Sequence, residues 1–505
     1  MQYKTRVRRY NFIYLIQGGV TLHTDTTLDI IIQEFLRICE IPHPSHHEEQ
    51  IGAYLLKWAK DHGLYVEQDQ IGDIIIDKPA YPGYENAPRV ILQAHMDMVC
   101  VAEEGFRYDP MSDPIRVVND GKTLRAVGTS LGADDGIGVA LCLYILQDKS
   151  IKHGPLRVIF TVNEEDGMSS IDMPACYLDG HYLINLDWEW LGSLCNSSAG
   201  CDFLTFTRKA EWICLEGEYA SIQLTLKGLL GGHSGVDIHR GRANALVCLA
   251  TALYRLKDAG ISFHVADFHG GQAKNAIPAM GELIVTVSRN DLEAALSCLS
   301  TYEKDFYAAF GDVETKGSFS VMAFEAQHKV LTKETTNALL ALLCTLPNNV
   351  NTMSPFIPSL VESSQNLGLL TIEENLITLS AMARSCVSYR NEELLRASRI
   401  IAEICGFTFI PGDHAPAWAV NPKSKLTPIA CEEYKKLTNN EMVVEPVHGG
   451  LECGAFFEKN PSLDMIAIGP SLSDVHSPKE SCDIESVKVT ADLIIAILAR
   501  LTEEC

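Results

Sequence analysis

The chain is 505 residues long, beyond the roughly 250–300 residues at which one hydrophobic core stops growing, so two or three domains are expected. A composition of 47% hydrophobic and 21% charged residues is that of an ordinary globular chain and excludes a disordered or fibrous one. The net charge of −24, spread without long acidic runs, excludes nucleic acid as a partner, because phosphate binding needs a basic footprint.

In chain order, Arg6, Arg8 and Arg9 precede a short apolar stretch, residues 10–16, that Gln17 and Gly18-Gly19 cut off at the bottom of the signal-peptide range. Residues 1–27 therefore read as an extension to the fold rather than an export signal. Residues 27–39 have helical periodicity, broken by Ile41-Pro-His-Pro-Ser45. A second helix opens near Ser45, with Ile51, Tyr54, Leu55 and Trp58 at helical spacing. Strands are predicted over 74–77, 89–94, 156–162 and 182–186, with a buried helix over 137–146. This alternation predicts an α/β fold, a mostly parallel sheet covered on both faces by helices.

From about Cys201 the texture changes to alternating strands, such as 221–227 and 281–288, with helices over 244–257 and 291–306. The α/β texture returns near residue 399, and residues 465–469 read as one more central strand before a helix over 487–501. The expected organisation is a first domain over 1–200 and 399–505, interrupted by an inserted α+β domain over 201–398. No run approaches the roughly 18 apolar residues of a membrane-spanning helix, so no membrane partner is expected. Sixteen cysteines in no CxxC pair fit a reducing, cytoplasmic compartment. Cys142, Cys248, Cys298 and Cys344, within apolar helical runs, read as small buried hydrophobes.

Five short motifs follow strand candidates, at the carboxyl ends where open α/β sheets gather ligands. His95 and Asp97 stand two apart on an extended segment and so share a face, which lets the carboxylate steady the imidazole. Asp134 and Asp135 lie in a glycine-flanked turn that opens a helix, where the dipole alone would favour them. Glu164, Glu165 and Asp166 repel one another at the mouth of a buried strand unless a cation neutralises them. Asp187 and His476 each follow a further strand candidate. Two histidines and three carboxylates placed in this way form a ligand set typical of zinc hydrolases with two metals.

With these motifs the chain resembles the M20 metallopeptidases, and among them the aminoacyl-histidine (Xaa-His) dipeptidases. The resemblance rests also on Ile41-Pro-His-Pro-Ser45, residues 231–245, Asn275-Ala-Ile-Pro278, His448-Gly-Gly-Leu-Glu-Cys-Gly454 and His476-Ser-Pro478, and runs from about Leu28 to the end. It implies a zinc-exopeptidase-like catalytic domain carrying an inserted lid that forms a homodimer contact. It implies two divalent ions, zinc or else cobalt or manganese, one held by His95 and Asp187 and the other by Glu165 and His476, with Asp134 bridging. It further implies that Asp97 orients His95, that Glu164 is the general base, that His233 stabilises the oxyanion, and that Asn275 and Arg384 contact the carboxyl end of a small peptide.

Beside the ligands the pattern departs from the family at Asp187-Trp-Glu-Trp190 and at Gly167-Met-Ser-Ser-Ile-Asp172, while the family's small-residue run appears as Ser197-Ser-Ala-Gly-Cys201. A broader dipeptidase, an aminotripeptidase or an N-acyl amino-acid amidohydrolase therefore stands beside the Xaa-His reading. A peptide-binding protein that has lost catalysis is a further alternative, opposed by the presence of Glu164, which serves only the reaction.

Overall fold

A computed structural model of the chain describes residues 26–355, 357 and 360–503. The basic and apolar stretch at residues 6–16 lies outside the described residues. The chain divides into two compact units, one made of residues up to 196 with 421–445 and 459–505, the other of 197–420 with 446–458.

The first unit is built on a six-stranded sheet whose order is Tyr65–Gln68, Ile74–Lys78, Leu156–Thr161, Val90–His95, Tyr182–Asn185, Asp464–Ala467. The last three pairings are parallel and the first two antiparallel. Every residue of Val90–His95 is buried, as expected for a central strand with both faces covered. The helix Thr26–Cys39 turns Ile31, Phe35 and Ile38 inward at three- and four-residue spacing. Ala133–Gln147 is buried from Ala133 to Leu146, so it is apolar all round and shows no polar face in its sequence. Ile484–Leu501 begins where the Asp483 carboxylate accepts the Ser486 amide at 2.7 Å.

A separate four-stranded sheet, in the order Leu472–Ser473, Ser481–Asp483, Thr123–Ala126, Val117–Asn119, ties the chain near 480 to the chain near 125. Its strands are two to four residues long and carry little periodicity, so the sequence did not announce them.

The second unit carries nine antiparallel strands, with Ser318–Glu325 and Thr408–Ala415 at the two ends of the order. The helices Ala245–Asp258, Leu292–Phe310, Lys333–Thr345 and Ser388–Ile404 share one apolar core with this sheet. The return to the first unit comes later than residue 399, because Thr408–Ala415 pairs with Gly200–Lys209 inside this sheet. Local texture cannot reveal that choice of neighbour.

None of the fifteen cysteines among the described residues takes part in a disulfide. Cys142 and Cys248 are buried as expected, whereas Cys298 is half-buried and Cys344 exposed, since each sits on the flank of an amphipathic helix. Among the described residues no helix is long and apolar enough to cross a membrane.

Candidate metal centre

Val90–His95 lies between Leu156–Thr161 and Tyr182–Asn185 and runs parallel to both. His95, the pair Glu164 and Glu165, and Asp187 therefore all stand at carboxyl ends of adjacent strands. Asp134 arrives from the turn that opens the helix Ala133–Gln147, with a non-helical backbone (φ −85°, ψ 106°) and a cis bond to Asp135. His476 comes from the loop between Leu472–Ser473 and Ser481–Asp483.

The two oxygens of Asp134 are divided between two imidazoles. Oδ1 lies 3.2 Å from His95 Nε2, and Oδ2 lies 3.1 Å from His476 Nε2. His95 Nε2 is also 4.0 Å from Asp187 Oδ1, and His476 Nε2 is 2.9 Å from Glu165 Oε2. Two donor groups, His95 with Asp187 and His476 with Glu165, thus share one carboxylate. One donor atom each from His95, Asp134 and Glu165 fall within 4.8 Å of one another. The closer separations approach the roughly 3.3 Å between donors set tetrahedrally at about 2.0–2.1 Å from zinc. The donor set and its spacing fit a divalent cation.

Asp97 organises this cluster from behind. The His95 Nδ1–H donates to the Asp97 main-chain oxygen at 3.1 Å, with Asp97 Oδ1 at 3.4 Å, which leaves the Nε2 lone pair for a metal. Asp97 Oδ1 accepts the Glu164 amide at 3.0 Å; Oδ2 accepts the Glu165 amide at 3.2 Å and the Ser45 hydroxyl at 2.7 Å. One buried carboxylate therefore fixes the imidazole and the acid pair together. Burial pushes the Asp97 carboxyl up, but the hydrogen bond and charge of His95, with Ser45 and the Glu164 amide, bring it down to about 2.

The remaining electrostatics have the signature of crowded acids awaiting positive charge. Burial lowers His95, yet hydrogen bonds to Asp134 and Asp97 outweigh it and hold the imidazole well above its ordinary value. Hydrogen bonds to Asp134 and Glu165 raise His476 to about 11. Burial, then the charge of Asp134, keeps the Asp187 carboxyl well above the usual range, and Glu164 adds to this. Protons on the imidazoles balance the carboxylates, and a divalent cation would compete with those protons.

In the second unit, the segment after Gly231 is tied by Asp237, whose Oδ2 accepts the His233 amide at 3.0 Å and whose Oδ1 accepts Arg242 Nη2 at 3.2 Å. Gly232 has φ +116°, and a Cβ there would meet Arg242 Nη1 at 1.9 Å, so only glycine serves. His233 Nδ1 accepts the amides of Gly235 (3.3 Å) and Val236 (3.1 Å), which places the ring proton on Nε2. That Nε2 stands 3.3 Å from Nη2 of Arg384, so two donors face the same space. Burial, then the charge of Arg384, lowers His233 to about 4, so the ring is neutral. Arg384 is 4% exposed and its Nε has no partner among the described residues. Asn275 is exposed; its main-chain oxygen accepts the Ser234 amide at 2.8 Å, beside His233.

Within the first unit the structure brings together His95, Asp97, Asp134, Glu164, Glu165, Asp187 and His476; within the second it brings together His233, Asn275 and Arg384. Sequence reasoning gave no role to four others. Ser45 anchors Asp97, and Glu189 is raised to about 7 by burial and the charge of Asp134. His448, buried, hydrogen-bonds through Nε2 to Ser364 Oγ at 2.8 Å, and burial and Arg384 lower it to about 3. Glu480 receives four backbone amides from the turn that carries Asp134. All four lie inside or beside the motifs, but only tertiary contact gives them partners.

The profile of peptidase family M20/M25/M40 matches residues 91–500. The cytosol non-specific dipeptidase of Escherichia coli (strain K12) is 34% identical over 454 residues, 90% of this chain and 93% of that one. Among solved structures, the aminoacylhistidine dipeptidase from Vibrio alginolyticus is 34% identical with a TM-score of 0.87, covering 94% of this chain and 97% of that one. A tripeptidase from Staphylococcus aureus, 16% identical with a TM-score of 0.54 and covering 94% and 99%, shares the fold.

Proposed function

The chain belongs to peptidase family M20/M25/M40, and on that premise we propose that it is a metal-dependent dipeptidase of broad scope whose substrates include Xaa-His peptides. The observation that carries the metal half of this reading is the division of the Asp134 oxygens between His95 and His476, with a further carboxylate at each imidazole. Two divalent ions, zinc or else cobalt or manganese, would be held by His95 with Asp187 and by His476 with Glu165, Asp134 serving both. Bound there, they would lower the pKa of a water and polarise the peptide carbonyl. Glu164, whose amide is fixed on Asp97, takes the proton from the attacking water and returns it to the leaving amine.

Breadth is favoured by the name of the Escherichia coli relative, and the Xaa-His preference by that of the Vibrio one. In the second unit, the buried Arg384 with its open Nε, beside the Nε2–H of a neutral His233, is chemically suited to a free carboxylate, which every dipeptide carries. Asn275 is assigned to the same end of the peptide and His233 also to the developing oxyanion. Thiols outside any disulfide and the relative's name support a cytosolic setting. Self-association through the second unit completes the reading.

The test is a panel of Xaa-His, Xaa-Leu, tripeptide and N-acetyl amino-acid substrates with zinc-, cobalt- or manganese-loaded protein. Both dipeptide classes are expected to turn over fastest; preference for tripeptides or N-acetyl substrates would refute the dipeptidase reading. Glu164→Ala is expected to lose about 10²–10⁴-fold in kcat while keeping two ions. Wild-type turnover in that variant would remove Glu164 from its role.

A further inference from the structure

Asp134 and His476 meet although 342 residues separate them, and neither segment has regular structure at that point. Asp134 stands in a non-helical first turn, and His476 has a left-handed backbone at φ 57°. Glu480 joins the two. It is 3% exposed, and both of its oxygens are engaged. Oε2 accepts the amides of Leu131 (2.7 Å) and Gly132 (3.1 Å), and Oε1 accepts those of Ala133 (2.8 Å) and Asp134 (3.4 Å). Four successive amides converge on one carboxylate only where the backbone curls into a concave nest. Gly132 supplies the curl, at φ +69°, where a Cβ would meet Met98 Sδ at 2.7 Å.

On its own strand Glu480 is equally fixed. Its amide donates to Ser477 O at 3.1 Å, closing the loop that carries His476. The next residue, Ser481, pairs with Ser473 on one side and Arg125 on the other. The base of the His476 loop is thus pinned to the sheet, and the Glu480 side chain extends from that base to the Asp134 turn.

We propose that Glu480 is a positioning residue for the metal centre, fixing the Asp134 turn against the His476 loop so that Asp134 Oδ2 and His476 Nε2 present themselves to one ion. This rests on the metal-centre reading above. With both oxygens occupied by amides, Glu480 acts on the ligands through the backbone. Its loss would weaken the ion shared by His476, Glu165 and Asp134 more than the one at His95 and Asp187, because His95 is held independently by Asp97.

The experiment titrates metal-free full-length protein with Zn²⁺ and Co²⁺, comparing wild type, Glu480→Gln, Glu480→Ala and Asp464→Asn. Asp464 is a control of the same kind, since its buried Oδ2 accepts the amides of Lys425 (2.8 Å) and Leu426 (3.0 Å), and it begins its strand at the end opposite the cluster. Glutamine keeps the shape of Glu480 but turns an NH₂ towards two of the four amides. In Glu480→Gln one ion is expected to bind as in wild type and the other about 10–100-fold more weakly, with kcat restored by excess metal and KM unchanged. Asp464→Asn is expected to lower Tm and leave both affinities alone.

Equal affinities in Glu480→Gln and wild type, or a loss matched by Asp464→Asn at the same drop in Tm, would overturn the proposal. Should the alanine variant fail to fold, glutamine carries the comparison. In the wild type itself, amides 131–134 should resist hydrogen exchange without metal; loop-like exchange there would also overturn it. A wild type that binds no ion would instead sink the metal-centre reading, and this inference with it.

Discussion

Replacing Asp97 by asparagine changes one oxygen into an NH₂ group, and the structure sets the cost. The folded carboxyl sits at about 2 against an ordinary 3.8, so its interactions contribute about 2 kcal/mol at neutral pH. Oδ1 accepts the Glu164 amide and Oδ2 the Glu165 amide, so in either orientation the new NH₂ faces a donor. One buried amide left without an acceptor adds about 1–3 kcal/mol, for a total of about 3–5 kcal/mol. The assay is urea unfolding of metal-free wild type and Asp97→Asn across pH. Because the folded pKa is depressed, the stabilisation is fully present above the unfolded value near 4 and is lost as pH falls towards 2. The gap between the two proteins should therefore narrow by about 2 kcal/mol between pH 5 and pH 2. In parallel, metal affinity should fall about 10–100-fold, because the carboxylate charge 3.4 Å from His95 Nδ1 is lost and one of the Glu164 and Glu165 amides loses its acceptor. A variant as stable as wild type at pH 7, or a gap independent of pH, would refute the assignment of Asp97 as organiser of the cluster.

Two further perturbations address the second unit. Arg384→Ala should reduce kcat/KM for dipeptides by about 10–150-fold, the worth of a charged hydrogen bond, while leaving dipeptide amides nearly unaffected, and Arg384→Lys should not restore the difference; equal losses on both substrate types would refute a carboxylate role. His448, lowered to about 3 and 7% exposed, should destabilise the fold on acidification. The unfolded chain takes up its proton near pH 6.5 and the fold refuses it down to about 3, so stability falls through that window by as much as about 5 kcal/mol. His448→Gln should flatten the Tm–pH slope there, and an unchanged slope would count against a buried neutral imidazole.

The core of the first unit was legible because its central strands are largely apolar and its ligands follow them directly, whereas the half-polar edge strand Tyr65–Gln68 gave no such signal. His95 closes a fully buried strand, and Glu164, Glu165 and Asp187 come within a few residues of the next two strand ends, so topology alone assembles them. His476 was legible only as one histidine after one strand candidate. Its meeting with Asp134 depends on short antiparallel strands around residues 124 and 482 that lack enough residues to show a period. The second unit was harder. The largely apolar run Leu283 to Val287 identified a strand, but nothing local to Arg384 distinguishes a buried guanidinium from a surface one. Its burial follows from register: Arg384 lies opposite Ser364 on one side and Cys201 on the other, in the interior of the nine-stranded sheet.

Three of the four residues that sequence reasoning left without a role share a physical trait. Ser45, His448 and Glu480 act on groups far away in the chain, at separations of 52, 84 and up to 349 residues. A metal ligand must be one of a few residue types and must face a common point, so composition and position betray it. A residue that holds a ligand's backbone has no such restriction, since any buried acceptor of the right reach will do. Glu480 illustrates this: read as sequence it is one more acid in a chain of net charge −24, and only the convergence of four amides separates it from the rest. The limit on reading this site from sequence therefore lies in the backbone nests and clasps around the ligands, where a perturbation moves metal affinity without touching a ligand.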